Sequence, residues 1–155
     1  MIYIAHRGNL QGPNKDWENH PDYIEYAINE GFDVEIDVRS YNSVLYLGHD
    51  EPQYKINVLS LVTKPLWVHC KDIEALELMP KDLNYFYHDN DAFTLTSKGY
   101  IWCYPARFSP KGIIVHPESA SVSKELLYSV VGMCSDNIRK WGEWVDERKQ
   151  TYIRT

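Results

Sequence analysis

The sequence predicts a compact (β/α)₈ barrel of the TIM type in which several helices are shortened or missing. Eight short apolar segments lack strict alternation, which is typical of parallel strands covered on their outer side, and helical patterns separate some of them. Divided among eight units, 155 residues leave about 19 per unit, against roughly 30 in an ordinary barrel of this type. Loops must therefore replace several helices. An open α/β sheet is the alternative.

The predicted strands are apolar runs that end at polar or turn residues. The first begins at residue 2, and the second is the β-branched run around residues 34–38. Segment 44–47 follows a turn and is set aside as a hairpin arm. The eight strands assigned to the barrel cover 2–6, 33–38, 66–70, 84–88, 93–96, 100–103, 112–116 and 131–135.

The helices are predicted from apolar spacing and from stop signals. Gly31 and Pro80 end the first two, and the last carries Ile138, Trp141 and Val145 on one stripe. These patterns predict helices over 22–30, 72–78, 123–130 and 137–148, and a short helix at 58–62.

Composition excludes several classes of function. A formal net charge of −6 argues against sequence-blind nucleic-acid binding and against adhesion to an anionic membrane surface. Three cysteines are too few for a disulfide framework and lie in apolar runs, so we expect buried thiols. Without a charged-then-apolar leader or an 18-residue apolar run, we expect one cytoplasmic domain over residues 1–155 with no stable membrane anchor.

Two carboxylates interrupt the second strand. Side chains alternate along a strand, so Glu35 and Asp37 point to one face while Val34, Ile36 and Val38 point to the other. Two buried carboxylates side by side repel each other and lose hydration unless a cation or donors neutralise them. A divalent metal ion with oxygen ligands is the simplest such partner. The alternative is a sheet with one solvated face.

Five of the six histidines end an apolar run, where we expect the C-terminal end of a strand. In barrels and open α/β sheets, loops from separate strands converge at that end and build the site. These histidines lie beside Glu35, Asp37, Lys71 and Asp136, and this favours an active site over scattered structural histidines. The five are His6, His49, His69, His88 and His116.

These residues resemble a known signature. His6-Arg7-Gly8, Glu18-Asn19, the Glu35–Asp37 strand and His49-Asp50 resemble, in order and spacing over residues 1–50, the N-terminal signature of the glycerophosphodiester phosphodiesterases. That family belongs to the phospholipase C-like phosphodiesterase superfamily of (β/α)₈ barrels. Residues 69–71 resemble its Glu-x-Lys motif on the third strand and 133–136 its last strand, whereas 72–130 match loosely.

The resemblance implies a role for each matching residue. His6 and His49 would be the general acid/base pair, and Glu35 and Asp37 would bind Mg²⁺ or Ca²⁺. A separate group of side chains would bind the substrate phosphate: Arg7, Lys71 and His69.

One departure from the family pattern concerns the metal. His69 stands where the family has a carboxylate, and imidazole is a poor ligand for Mg²⁺ or Ca²⁺ but a good one for Mn²⁺ or Zn²⁺. The ion is therefore Mn²⁺ or Zn²⁺ with His69 as a ligand, or a water or Glu118 replaces the missing carboxylate, or metal binding is weak.

The predicted function is metal-dependent hydrolysis of a small glycerophosphodiester-like substrate by histidine acid/base catalysis. A phosphodiester is anionic and has a poor leaving group, so its cleavage needs charge neutralisation, a base and an acid. Two alternatives stay open. One is a cyclising transferase of the phospholipase D type, and the other is a degenerate barrel that binds a phosphorylated ligand without catalysis. The substrate head group and the oligomeric state are open.

Overall fold

The computed structural model describes residues 1–119 and 122–152. In that part of the chain, ten strands form one mixed sheet that curves into a half-barrel. The strands are β1 (Ile2–His6), β2 (Asp33–Tyr41), β3 (Val44–Leu47), β4 (Tyr54–Lys55), β5 (Leu66–Cys70), β6 (Asn84–Phe86), β7 (Phe93–Leu95), β8 (Ile101–Cys103), β9 (Gly112–Val115) and β10 (Gly132–Ser135). The α-helices are α1 (Pro21–Asn29), α2 (Ile73–Glu77), α3 (Lys124–Tyr128) and α4 (Ile138–Tyr152), and short 3₁₀ helices cover Val58–Leu61 and Pro117–Ser119.

The prediction of a (β/α)₈ barrel is wrong. Strands β6, β5, β2, β1, β10, β9 and β8 lie side by side in that order and run parallel. The predicted strand at 93–96 is an antiparallel arm, β7, paired with β8. The connection between β7 and β8 is too short for a parallel crossover, which takes a dozen or more residues, so the chain must turn back on itself.

The two ends of the curved sheet approach each other through side chains. The ring centroids of Phe86 on β6 and Trp102 on β8 are 4.6 Å apart, and the Ser97 N–H donates to the Tyr85 carbonyl at 2.8 Å. Within the described residues, no strand pairing joins β6 to β8. The sheet is therefore strongly curved but not closed by a hydrogen-bonded ladder.

Strand β2 is buried on both faces, and this gives the molecule an outer and an inner layer. Val34, Ile36 and Val38 are fully buried on the outer face, in the cluster that includes residues of α1 and α2. Glu35 and Asp37 point inward. Below them, an apolar cluster fills the inside of the curve and forms the floor of the site: Ile4, Trp67, Phe86, Trp102, Ile113, Val115 and Cys134.

The helices lie close to their predicted positions, and side chains cap the N-terminal ends of α1, α2 and α3. Before α1, the His20 imidazole accepts a hydrogen bond from the Asp22 N–H, and Pro21 occupies the first turn. His20, the one histidine away from a strand end, therefore has a capping role. The three cysteines are buried free thiols, as predicted. In the part of the chain described, no helix combines the length and the apolar character that crossing a bilayer requires.

Candidate active site

A cavity of about 360 Å³ opens at the C-terminal ends of the parallel strands. Six of the seven predicted site residues line this cavity. The seventh, Asp37, lies beneath the cavity surface, where it is fully buried and in contact with Arg7, His69 and Lys71. All seven predicted site residues are thus brought together. The six that line the cavity are His6, Arg7, Glu35, His49, His69 and Lys71.

Asp37 is held by a buried clamp. The Asn19 side chain donates to Asp37 Oδ2 at 3.0 Å and accepts from the Asp37 N–H at 2.9 Å, and Arg7 Nε lies 2.8 Å from the same Oδ2. Burial alone would raise the pKa of Asp37, but His69, Arg7 and Lys71 outweigh it and lower that pKa. Asp37 is therefore ionised, and Arg7, which also pairs with Glu18 at 3.0 Å, is largely committed to carboxylates.

Asn19→Ala should destabilise the fold by about 1–3 kcal/mol, because it leaves the buried Asp37 N–H without an acceptor. Asn19 is 1% exposed and both ends of its amide are used, so water cannot easily replace it. Urea unfolding of the variant measures the loss. Asn57→Ala is a matched control, because that amide caps an exposed turn. Equal stability of the Asn19 variant and the wild type would contradict the clamp.

Glu35 is the member of the carboxylate pair whose negative charge is disfavoured. It is 2% exposed, and its pKa is raised well above the ordinary range by burial and by the charge of Asp37. Its contacts are an N–H donor from Arg7 at 3.2 Å and, both at 3.8 Å, the imidazoles of His6 and His69. A cation between the two carboxylates would remove the penalty that raises this pKa.

Glu35, Asp37 and His69 fit a divalent metal ion. One donor atom of each lies within 4.8 Å of the others, and Asp37 Oδ1 is buried without a hydrogen-bond partner. His69 Nδ1 is 3.3 Å from that oxygen. The His69 ring stacks on Phe86 and His88, which fixes its orientation. A set of two carboxylates and one imidazole suits Mn²⁺ or Zn²⁺ better than Ca²⁺.

His6 is held in one tautomer by Asp136. Its Nδ1 lies 2.8 Å from Asp136 Oδ1. Burial lowers the pKa of His6 despite this contact, and the hydrogen bond from His6 lowers the pKa of Asp136 against the effect of burial. The imidazole is thus neutral and the carboxylate ionised, so the proton must be on Nδ1. Nε2 is left as a free base facing the cavity, 3.8 Å from Glu35 Oε2.

His49 reaches the rim of the cavity on the loop after β3. Its carbonyl accepts a hydrogen bond from Arg39 Nε at 2.8 Å, and its Nδ1 contacts Asp50 Oδ1 at 2.7 Å. Gly48 has φ +144°, and a Cβ there would lie 2.0 Å from the Glu51 carbonyl oxygen. The loop can present His49 in this position only with glycine at residue 48.

Gly48→Ala should lower the turnover of any reaction that uses His49 while the sheet stays folded, because the clash is confined to the loop. We expect an unfolding midpoint within a few degrees of the wild type and a rate that approaches that of His49→Ala. Gly99→Ala is the control: Gly99 also has positive φ, but it lies in the β7–β8 turn with open space around it. Full turnover by the Gly48 variant would show that the loop can present His49 with another backbone conformation.

Three further site residues have strained backbones. Arg7, Asn19 and His116 have φ values of 53°, 61° and 50°, in the left-handed region that non-glycine residues rarely adopt. Such strain costs free energy and persists where the surroundings hold it in place, often at functional sites. The strained backbone aims these side chains at the carboxylates of the site.

Several site residues received no role from the sequence. The sequence indicates Asp136 only by its position beside the strand-end histidines, and Glu18 and Asn19 only as part of the signature. Arg39 follows Glu35 and Asp37 on the same face of β2, so strand alternation could have found it. His88, whose pKa is lowered to about 4 by burial and by the charges of His69 and Lys71, and Tyr104 also line the cavity.

No protein-family model, curated protein or solved structure matches this chain.

Proposed function

We propose that this protein is a metal-dependent phosphodiesterase that hydrolyses a small glycerophosphodiester-like substrate. The observation that carries the proposal is the meeting of two features in one cavity. A neutral histidine, His6, presents a free Nε2, and next to it lies a buried carboxylate pair in which the charge of Glu35 lacks full compensation. A base beside a cation-binding pair is what cleavage of an anionic ester requires.

The cationic side chains bind and orient the substrate. Lys71 lines the cavity with its Nζ 3.7 Å from Asp37 Oδ1, so it can contact a phosphate oxygen directly. The Arg7 guanidinium is engaged by Asp37 and Glu18, and it contributes mainly positive charge. Arg39 adds a third cation at the rim. Three cationic side chains thus line the cavity of a chain that is acidic as a whole.

Two histidines carry the protons. His6 Nε2 accepts a proton from the attacking water as its oxygen forms the new bond to phosphorus. His49 donates a proton to the departing alkoxide oxygen as the other P–O bond breaks. Asp136 keeps the His6 proton on Nδ1 and stabilises the imidazolium that forms, in the way that an acidic residue orients the base of a catalytic triad.

Glu35, Asp37 and His69 would hold the divalent ion. When bound, such an ion neutralises phosphate charge and lowers the pKa of a coordinated water. The residues around it orient these ligands. Asn19 and Arg7 fix Asp37, the Arg7 N–H fixes Glu35, and Phe86 fixes the His69 ring.

The test is turnover by metal-stripped protein reloaded with Mn²⁺, Mg²⁺, Ca²⁺ or Zn²⁺. Glycerophosphocholine, bis-(p-nitrophenyl) phosphate and lysophospholipids are the substrates, and phosphorus NMR identifies the products. We expect a phosphomonoester to accumulate with at least one ion. The control is the His6→Ala/His49→Ala double variant.

Two other outcomes would replace the proposal. A persistent cyclic phosphate would mean that a substrate hydroxyl attacks phosphorus, and the protein would be a cyclising transferase. Failure of every substrate and ion to exceed the double variant, together with thermal stabilisation by phosphate esters, would mean a binding protein without catalysis.

A further inference from the structure

A second group of metal-ligand side chains lies on the other side of His6. His6 ends β1, His116 follows β9, and Asp136 follows β10, and one donor atom of each lies within 4.8 Å of the others. His6 Nδ1 is 2.8 Å and His116 Nδ1 3.9 Å from the Asp136 carboxylate. These strands are neighbours in the sheet, so their C-terminal ends are side by side.

Glu118 lies next to this group but is not one of the donors that lie within 4.8 Å of one another. Its Oε1 is 3.3 Å from His116 Nδ1, the same nitrogen that faces Asp136. The two carboxylates are also oriented by outer partners: Asn9 Nδ2 donates to Asp136 at 2.8 Å, and Ser135 Oγ donates to Glu118 at 2.9 Å. Metal-ligating carboxylates in proteins are held by hydrogen bonds in this way.

The donor types select the class of ion. Two imidazole nitrogens and one carboxylate oxygen suit Zn²⁺ and similar first-row ions, whereas Mg²⁺ and Ca²⁺ prefer oxygen alone. We propose that His6, His116 and Asp136 form a second metal site for a Zn²⁺-class ion, with Glu118 as an outer partner, and that occupation of this site switches His6 off as a base. The inhibition rests on the proposed function, but the binding does not.

The switch follows from the two nitrogens of His6. In the metal-free site, Nδ1 carries the proton that bonds to Asp136, and Nε2 is free. A metal ion on Nδ1 needs that lone pair, so the neutral ring must take the other tautomer, with its proton on Nε2. The proton leaves Nδ1 and one returns from solvent to Nε2, so none is gained or lost. A metal-bound His6 then has no lone pair facing the cavity.

Co²⁺ binding tests the site without any assay of activity. In the Glu35→Gln background, which removes one carboxylate of the first site without loss of stability, bound Co²⁺ should show the visible absorption of an ion with few ligands, at least one of them nitrogen. His116→Ala and Glu118→Gln, each added to that background, should weaken the titrated affinity by more than about tenfold. His20→Ala is the matched control, because His20 caps α1 and does not line the cavity. An unchanged spectrum and affinity in the His116 variant would overturn the site.

Inhibition is tested separately, as the ratio of rates with and without added Zn²⁺ in the presence of saturating Mn²⁺. We expect Zn²⁺ to inhibit the wild type and to inhibit His116→Ala at least about tenfold less effectively. Equal inhibition of the two proteins would overturn the switch. If the wild type turns over no substrate with any ion, the proposed function has failed, and the Co²⁺ titration still decides whether the second site exists.

Discussion

His6→Ala should lower the rate of phosphodiester hydrolysis by about 10²–10⁴-fold, the usual contribution of a general acid or base. His6 is neutral at pH 7 because burial lowers its pKa, and its Nε2 faces the cavity. Steady-state turnover at saturating Mn²⁺ measures the effect. The side chain packs edge-on against His116 at the cavity surface, and we expect the variant to fold.

Two further variants separate chemistry from packing. Asp136→Asn keeps the His6 ring but removes the charge that holds its proton on Nδ1, so it should also lower turnover strongly while KM changes little. His20→Ala is the matched histidine control. It should lose about 0.5–2 kcal/mol of stability with its capping bond and keep the wild-type rate. Wild-type turnover by His6→Ala would remove the base from the mechanism.

Glu35→Gln and Asp37→Asn should change the stability of the metal-free protein in opposite directions. The raised pKa of Glu35 means that its charge opposes folding, so the amide should leave the protein equally stable or more stable. The lowered pKa of Asp37 means that its charge favours folding. Removing the charge of Asp37 leaves Arg7 buried without its main partner. Breaking a buried ion pair in this way costs about 3–5 kcal/mol of stability.

Both substitutions should abolish stabilisation by metal and the activity with it. In the wild type, an ion at a hundredfold excess over its dissociation constant should add about 2.7 kcal/mol to the free energy of unfolding. Thermal and urea unfolding with and without Mn²⁺ measure this increment. Asp33→Asn is the control, because Asp33 begins the same strand and bonds to the Trp67 indole at the opposite end of the sheet. An undiminished increment in Glu35→Gln would mean that the ion binds elsewhere.

Most strand positions could be predicted from the sequence because apolar runs such as those of β2 and β9 are buried in the sheet. Strand direction could not. Segment 93–96 is an apolar run like the others, and only its short connection to β8 reveals that it must pair antiparallel. The curvature that brings Phe86 to Trp102 depends on packing between distant residues. No local sequence pattern indicates that contact.

The candidate site was predictable to the extent that it follows from strand ends. Histidines and carboxylates at the ends of parallel strands meet at one edge of a sheet, and six of the seven predicted residues line one cavity. The partner of His6 was not predictable, because it depends on β1 lying beside β10 with Ala5 opposite Ser135. The engagement of Arg7 with Asp37 likewise depends on a left-handed backbone that no local pattern indicates.

The most direct test is the metal dependence of bis-(p-nitrophenyl) phosphate hydrolysis. Protein stripped with EDTA is titrated with Mn²⁺, and with Mg²⁺ in parallel, while release of p-nitrophenol is followed for the wild type and for Glu35→Gln. We predict no hydrolysis by the stripped wild type, saturable recovery as the ion is added, and no recovery in the variant. A full rate in excess EDTA, or the same recovery in both proteins, would contradict a metal-dependent phosphodiesterase built on the Glu35–Asp37 pair.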